Sequence, residues 1–282
     1  MTFSIAGFDP QTRELGVAVQ SKFIGVGSVV PWAKAGVGAI ATQAFANPTY
    51  GPDGLHLLEQ GKTAQETIDA LISKDEGKAD RQAGIVDVNG NAATFTGDRC
   101  YDWAGGQTGK HYAAQGNILV SQETVEAMGD TFEQSDGSLA ERLLKALDAG
   151  QAAGGDRRGK QAAAIYVVKE KGGYLGTNNR YVDLRVDDHS NPIKELIRIY
   201  YLHQLYFGIT KPENILDVKG TVREEIITHL YRLGFLGKKN VEDQTLYEQL
   251  TSFIHTENFE RRELEKGKID QAVLDFMKSK EQ

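Results

Sequence analysis

Thr2 has the most direct route to covalent chemistry of any residue in this sequence. A residue as small as threonine after an initiator methionine normally permits removal of that methionine, which leaves a free α-amine beside the threonine hydroxyl. Because an unperturbed α-amine has a pKa of about 7.7 to 8.0, it can act at neutral pH as the base that a hydroxyl nucleophile needs. Thr2 is therefore a candidate nucleophile. The alternative is that it is only the first β-branched residue of a strand.

Residues near the predicted N-terminal hairpin supply partners for this nucleophile. Gln20 and Ser21 end the partner strand, so both are candidate catalytic residues close to Thr2 if the hairpin pairs end to end. Lys34 is expected to lower the pKa of the amine by charge repulsion and to keep it neutral. The polar residues before the next helix are candidate oxyanion donors, the last two also as substrate contacts: Thr42, Gln43 and Asn47.

A glycine-rich loop carries Asp156, Arg157 and Arg158. A guanidinium can bind a carboxylate through two parallel hydrogen bonds, so the loop predicts a small substrate that bears a carboxylate. An Asp–Arg pair that only braces the loop fits the pattern equally well. Asn117 and Trp103 also stand in glycine-flanked segments, and we expect them to line the same pocket, Asn117 in catalysis and Trp103 as a substrate contact.

Two glycine-rich motifs resemble nucleotide-binding loops but lack essential parts. Residues 154–160 match the start of a phosphate-binding loop, yet Gln161 stands where a magnesium-binding Ser or Thr is needed. A predicted helix precedes that motif instead of following it, so no helix N-terminus faces a phosphate. Residues 36–41 fit a loose dinucleotide fingerprint, but neither a helix nor a ribose-binding acid follows.

Metal and thiol chemistry are not predicted. Asp183, Asp187, Asp188 and His189 lack the spacing of a ligand set, so we interpret them as a solvated edge strand and turn. Cys100 is the single cysteine, which excludes an internal disulfide and any multi-cysteine metal site. A lone cysteine is more often a small buried hydrophobe than a nucleophile. We expect no metal and no other cofactor.

Composition narrows the classes of partner. The 282 residues are 40% hydrophobic and 25% charged, as in globular proteins. With 32 Lys and Arg against 39 Asp and Glu, the net charge of −7 provides no positive field for nucleic acid or anionic lipid. Neither a long apolar run nor a leader with a basic start is apparent, which predicts a cytoplasmic protein that acts on a small molecule away from membranes.

Glycine content predicts two domains. Of the 31 glycines, 27 lie at or before Gly208 and 4 after it. We therefore predict a glycine-rich domain over residues 1–208, a linker over 209–218 and a helical accessory domain over 219–282.

The elements that must position Thr2 are predicted to be hairpins covered by helices. Alternating or β-branched runs predict strands over residues 2–8, 15–19, 23–30, 37–45, 84–88, 92–96, 162–168 and 181–186. Helical spacing predicts helices over 52–72, 125–132, 139–149, 193–207, 222–233, 246–255 and 269–277. Because hairpins replace βαβ crossovers, the pattern favours an α+β fold with antiparallel sheets under helices.

Nearly all of the first 205 residues resemble the domain of unknown function 1028 family, which is assigned to the N-terminal-nucleophile (Ntn) hydrolase superfamily. The blocks that carry the resemblance occur in order: Thr2–Ala6, Glu14–Lys22, Pro31–Ala44, Phe95–Gly97, Trp103–Gly105, Ala113–Asn117, Ala153–Gly159 and Val182–Asp188. The resemblance implies a four-layer αββα sandwich that begins with the nucleophile-bearing strand. It also implies hydrolysis of an amide or related acyl bond other than a peptide bond, and a homodimer or larger oligomer.

The last 70 or so residues resemble a peptidoglycan-binding module, along Val222–Phe235, Thr256–Arg262 and Gly267–Asp270. Because no secretion signal is apparent, we expect a small all-α accessory domain for dimerisation or substrate screening rather than contact with peptidoglycan.

Two functions from different classes follow. The leading prediction is an Ntn amidohydrolase that cleaves an amide or related acyl bond of a small, carboxylate-bearing substrate, with Thr2 as nucleophile and its α-amine as base. The alternative is a non-catalytic protein that uses an Ntn-like cleft and the helical tail to bind a ligand, a peptide or a cell-wall fragment.

Overall fold

A computed structural model describes residues 2–281, which form two compact units. The first unit ends at Ile199 and the second begins at Tyr200. This division falls inside the helix Pro192–Phe207 and not at the predicted residue 208. The last turns of the helix belong to the second unit because Leu205 and Tyr206 pack against its core.

The strands of the first unit form two antiparallel sheets. In chain order they are β1 (Thr2–Phe8), β2 (Leu15–Ser21), β3 (Pro31–Lys34), β4 (Gly38–Ala44), β5 (Arg81–Asp87), β6 (Ala92–Thr96), β7 (Gly105–Gly109), β8 (Tyr112–Asn117), β9 (Ala162–Val168) and β10 (Arg180–Val186). One sheet has the order β10-β9-β2-β1-β8-β7, and the other has the order β3-β4-β5-β6. The strand that carries Thr2 is thus an inner strand of the six-stranded sheet.

Helices pack on both sheets. Those of the first unit are α1 (Tyr50–Glu59), α2 (Ala64–Ser73), α3 (Glu123–Gln134) and α4 (Leu139–Ala152), with α5 (Pro192–Phe207) at its end. The first two contact the four-stranded sheet, and α3 and α4 contact the six-stranded sheet. Thr63 and Ser138 begin α2 and α4 with capping boxes, in which each hydroxyl accepts from a main-chain N–H three residues ahead.

The two sheets face each other through small and β-branched side chains. All seven residues of β1 are buried, because one face of the strand meets the other sheet and the opposite face meets helices. The apolar part of the layer between the sheets contains alternate residues of facing strands: Ala6, Val17, Val19, Ala39, Ala41, Val86 and Ala113.

Two predicted elements differ in the structure. The predicted strand over 23–30 is wrong: the chain leaves the sheet after Ser21, and Gly25 has a left-handed backbone (φ 62°) before a short 3₁₀ turn at Val26–Ser28. A strand cannot contain that conformation. The predicted helix over 52–72 is interrupted, because Gly61 is also left-handed (φ 91°) and α2 begins afresh at the Thr63 cap.

The second unit is mainly helical. It contains β11 (Ile215–Asp217), α6 (Gly220–Arg232), α7 (Asp243–Thr256), β12 (Lys268–Asp270) and α8 (Gln271–Ser279). The two short strands pair with each other, and the first of them lies inside the predicted linker. Its core includes Ile226, Leu230, Leu250, Phe253 and Phe259.

The structure therefore confirms the coarse prediction of a mixed α and β protein with several sheets and a helical C-terminal region. Within residues 2–281, none of the helices combines the length and the apolar character that crossing a membrane requires.

Candidate functional site

Thr2 begins an inner strand between two polar neighbours. Its paired residues are Ser21 on β2 and Asn117 on β8. Directly paired residues place their side chains on the same face of a sheet. The Thr2 hydroxyl donates to Ser21 Oγ at 3.1 Å, and Thr2 is only 5% exposed. The structure thus brings together three of the predicted site residues.

Neutral amides and hydroxyls form a buried hydrogen-bond network around the Thr2 main chain, between the two sheets. Gln43 Nε2 donates to the Thr2 carbonyl at 3.3 Å and to Gln82 Oε1 at 2.8 Å. Ser4 Oγ donates to Gln43 Oε1 at 2.6 Å and accepts from Gln115 Nε2 at 2.6 Å. Buried polar groups that are paired in this way hold one another in a single arrangement.

Gln82 sets the direction of the hydrogen bonds in this network. Its Nε2 donates to the main-chain carbonyls of Gly105 at 3.2 Å and Gly116 at 2.7 Å. Since a carbonyl can only accept, the opposite end of the amide, Oε1, must be the acceptor. It accepts from Gln43 Nε2 and from Asn117 Nδ2, both at 2.8 Å. The amide orientations of Gln43 and Asn117 therefore follow from two main-chain carbonyls.

A cavity of about 380 Å³ opens beside Thr2. It has the size of a small-molecule site. Ala44, in its wall, has a left-handed backbone (φ 69°), a strained conformation for a non-glycine residue that recurs at functional sites. The wall combines apolar side chains with two guanidinium groups, and its residues are Thr2, Phe23, Val26, Val29, Val30, Gln43, Ala44, Phe45, Ala46, Arg81 and Arg158.

Arg158 reaches this cavity from the glycine-rich loop before β9. Its Nε and one terminal nitrogen donate to the Asp156 carboxylate at 3.2 and 2.9 Å. Asp156 is buried and also accepts from the main-chain N–H of Lys22 at 3.0 Å, just after β2. The acid thus braces the loop, as one of the two predicted alternatives had it, and it also orients Arg158 at the cavity wall. Arg157 is exposed.

Arg81 is the second guanidinium of the cavity. Its Nε donates to Asp75 Oδ2 at 2.9 Å, and its terminal nitrogen donates to the Phe45 carbonyl at 2.6 Å. The same carboxylate accepts from the Tyr50 hydroxyl at 2.9 Å and from Asn47 Nδ2 at 3.3 Å. The hydrogen bond from Arg81 holds the pKa of Asp75 well below its usual range, while burial, followed by the bond to Asp75, raises the pKa of Tyr50.

Comparison with known families assigns the first unit to a family. Residues 2–196 match the model of the family of unknown function DUF1028. The chain belongs to the DUF1028 family. Residues 206–277 of this DUF1028 protein match a second model, described as "Putative peptidoglycan binding domain". No curated protein matches the chain.

One solved structure agrees with this assignment. The crystal structure of protein SPO2555 from Silicibacter pomeroyi, a DUF1028 protein, is 33% identical, with a TM-score of 0.66 over 72% of this chain and 89% of that one. Anbu (ancestral beta-subunit) from Yersinia bercovieri is 11% identical, with a TM-score of 0.34 over 72% of this chain and 94% of that one.

Two of the predicted site residues of this DUF1028 domain lie on the opposite faces of their sheets. Gln20 pairs with Phe3, one residue out of phase with Thr2, so its side chain is on the helix-covered face. Thr42 is likewise one residue out of phase with Gln43, and its hydroxyl donates to the Asn47 carbonyl at 3.1 Å. Neither side chain shares the face on which Thr2 lies.

The remaining predicted residues are engaged elsewhere. Lys34 pairs with Gly38, about 17 Å along β4 from Gln43 at 3.3 Å per residue, and its amine binds Glu59 at 2.6 Å. Asn47 contacts Asp75 and not Thr2. Trp103 packs over Gly105, where an added β-carbon would lie 2.6 Å from its ring. Lys34 therefore lies too far from Thr2 to supply the repulsion that we expected of it.

Thiol and metal chemistry have no visible centre in the described part of the chain. Burial raises the pKa of the Cys100 thiol, whose sulfur contacts the Arg81 carbonyl at 3.3 Å, so the reactive thiolate is disfavoured. Asp183 is paired with Arg180 and Arg185. Among residues 2–281, no three His, Cys, Asp or Glu side chains stand close enough to hold a metal ion.

Sequence reasoning missed Gln82, Gln115 and Arg81. Gln115 had a sequence signal, because it and Asn117 are polar residues at alternate positions of the buried strand β8. Gln82 had none, since the alternate positions after it in β5 are Gly84 and Val86. Arg81 had none, since its partner Asp75 and the Phe45 carbonyl come from other segments.

Proposed function

We propose that this protein is an Ntn-type amidohydrolase whose nucleophile is Thr2. The observation that carries the proposal is a buried hydroxyl at the start of an inner strand, bonded to Ser21 and open to a cavity of small-molecule size. The layers support it: two facing sheets, each with helices on its outer side, have the arrangement of the αββα sandwich. Ntn hydrolases place their nucleophile on the first strand of that sandwich.

The proposed reaction begins after hydrolysis of the peptide bond before Thr2, which frees the α-amine. The amine takes the hydroxyl proton while Thr2 Oγ1 bonds to the carbonyl carbon of the substrate amide. The resulting ammonium gives that proton to the leaving nitrogen, and the C–N bond breaks. Water then cleaves the ester, its proton passing through the same amine back to Oγ1. One amide and one water yield one acid and one amine.

In our proposal, Asn117 stabilises the oxyanion, and two arginines of the cavity keep the α-amine unprotonated. Asn117 Nδ2 carries two N–H groups, of which one is given to Gln82, so the other can meet the oxyanion that forms beside Thr2. Arg81 and Arg158 line the same cavity, and their positive charges disfavour protonation of a nearby amine. In this proposal they have the role that we expected of Lys34.

The substrate in this proposal is a small amide or related acyl compound. The cavity volume and its guanidinium groups support a carboxylate-bearing molecule, with the Asp156–Arg158 pair as one contact. Cytoplasmic location and a homodimer remain predictions of the sequence.

Replacement of the nucleophile tests the mechanism. We expect Thr2→Ala to lower turnover of small N-acyl and ureido compounds at least about a thousandfold without loss of fold, and Thr2→Ser to retain part of the activity. Intact mass should show a chain that begins at Thr2 and carries an acyl group there during turnover. Thr12→Ala, which removes an exposed hydroxyl from a turn, is the matched control. Full activity of Thr2→Ala, or a protein that keeps the preceding methionine while active, would contradict the mechanism.

One finding favours a second function, a non-catalytic binding protein. Residues 206–277 match the peptidoglycan-binding model. Co-sedimentation of the full chain with purified insoluble peptidoglycan separates the two. Retention on the polymer, together with no acyl group on Thr2, would favour the binding function.

A further inference from the structure

Arg81 is held rigidly at the cavity wall. Its contacts with Asp75 and the Phe45 carbonyl use two of the five N–H groups of a guanidinium. Asp75 is itself held by the Gly77 main-chain N–H at 2.7 Å and by the Tyr50 hydroxyl at 2.9 Å. A planar fork fixed in this way loses little freedom when it binds a second carboxylate.

The wall around this fork is apolar. Val26 and Val30 are buried, and Phe23 and Phe45 are about half exposed at the same cavity, so a bound molecule would cover them. Arg81 and Arg158 are each paired with an acid, so their positive charges act on groups inside the cavity but attract an anion only weakly from a distance. Recognition must therefore depend on hydrogen-bond geometry and on apolar contact.

We infer that Arg81 is the specificity-determining anchor for the substrate carboxylate, and that the substrate is an N-acyl amino acid with an apolar side chain. This inference rests on the proposed function, because it takes the cavity beside Thr2 as the substrate site. The guanidinium fork of Arg81 binds the carboxylate, the apolar wall takes the side chain, and the amide bond lies at Thr2. Asn47 and Tyr50 act as positioning residues, since they reach the fork only through Asp75.

Binding to a protein that cannot turn the ligand over tests this directly. Calorimetric titration of full-length Thr2→Ala protein with N-acetyl-L-leucine and with N-acetyl-L-leucinamide compares a carboxylate with its neutral counterpart. We expect the carboxylate to bind at least about tenfold more tightly, and N-acetylglycine to bind about tenfold more weakly than N-acetyl-L-leucine. Equal affinity for the acid and the amide, or no binding of any of these probes, would overturn the inference.

Variants locate the anchor. Adding Arg81→Met to Thr2→Ala should lower the affinity for N-acetyl-L-leucine to that for the amide, with the amide unchanged, and Arg81→Lys should restore only part of it. Arg99→Met is the matched control, because Arg99 also pairs with an acid, Asp80, yet is largely exposed. Loss of acid binding in Arg158→Met but not in the Arg81 variants would place the anchor at Arg158 and overturn the inference. If Arg81→Met does not fold, Arg81→Lys and the acid–amide comparison decide.

The two proposals can fail separately. Acid-selective binding that depends on Arg81, without acyl transfer to Thr2 in the processed wild-type protein, would remove the hydrolase and keep the anchor. Acyl transfer from neutral amides that is indifferent to Arg81 would do the reverse.

Discussion

The layer between the sheets of the first unit and the core of the second unit bury polar side chains of different kinds. Between the sheets of the first unit lie neutral groups, the amides of Gln43, Gln82 and Gln115 and their hydroxyl partners. The core of the second unit contains an ion pair, Arg262 with Asp270, at 2.5 Å, whose side chains are 9% and 0% exposed. The layer between the sheets therefore depends on uncharged hydrogen bonds, and the core of the second unit depends on a buried charge.

The difference indicates separate purposes. The ion pair connects segments of the second unit. Asp270 also accepts from the Ala272 N–H at the start of α8, and Arg262 donates to the main-chain carbonyls of Gln204 and Leu205. The amide network ends at Thr2 and at an open cavity. In the proposed mechanism, neutral groups suit that place, because they orient Thr2 without adding a charge that titrates beside its amine.

Arg262→Met should produce the largest loss of stability and should affect only the second unit. It leaves the buried Asp270 carboxylate without its counter-ion, which costs about 4 kcal/mol. Both tryptophans, Trp32 and Trp103, lie in the first unit, so circular dichroism should show a helical transition at lower denaturant while tryptophan fluorescence is unchanged. Arg223→Met, at an exposed pair with Asp243, is the control. A shift in the fluorescence transition would contradict this prediction, because it would show that the substitution also destabilises the first unit.

Gln82→Met should be next in size and should act on the first unit. It leaves Asn117 Nδ2 and the Gly116 carbonyl without their partner, at a cost of about 3 kcal/mol in the free energy of unfolding. Turnover should fall as well, because the orientation of Asn117 is lost. Thr96→Val, which removes a hydroxyl that accepts from Gln82 Nε2 at 2.9 Å, is a milder control. Unchanged tryptophan-detected unfolding would show that the network is not needed for the fold.

Asp75→Asn should have a smaller and pH-dependent effect. The pKa of Asp75 is lowered in the folded state, so its stabilisation is complete above the unfolded pKa and is lost as the pH falls below about 4. At pH 7 the variant should be about 2 kcal/mol less stable, because it replaces a charged acceptor for Arg81 and Tyr50. Urea titrations at pH 7 and pH 3 should show the difference between wild type and variant shrinking at the lower pH. An equal stability difference at both pH values would contradict a lowered pKa of Asp75 in the folded state.

Lys34→Met should have the smallest effect, with no change in the pH–rate profile. Its amine meets Glu59 on the surface, at the far end of the four-stranded sheet from Gln43. An exposed ion pair contributes little to stability. A shift of the basic limb of the profile would instead show that Lys34 reaches the amine of Thr2.

Local patterns predicted most of the elements, but not β3, β7 and β8, and they predicted the site in part. The strand over 162–168 and the hairpin at Asn89-Gly90 appear as predicted, the latter with Gly90 at φ 82°. Ser21 and Asn117 were placed with Thr2 correctly. Gln20 and Thr42 were placed on the wrong face, since a position one residue along a strand points to the other side of the sheet.

The sequence by itself determined the hairpin turns and the helix caps, because each depends on neighbours along the chain. The tertiary structure decided which polar residues share a face, and it placed Gln43 and Gln82 from the second sheet around Thr2. It also placed Arg81, whose partners Asp75 and Phe45 lie six and thirty-six residues away, at the wall of the cavity beside Thr2. Side-chain parity and contacts between sheets arise only when strands pair and stack, so no local pattern contains them.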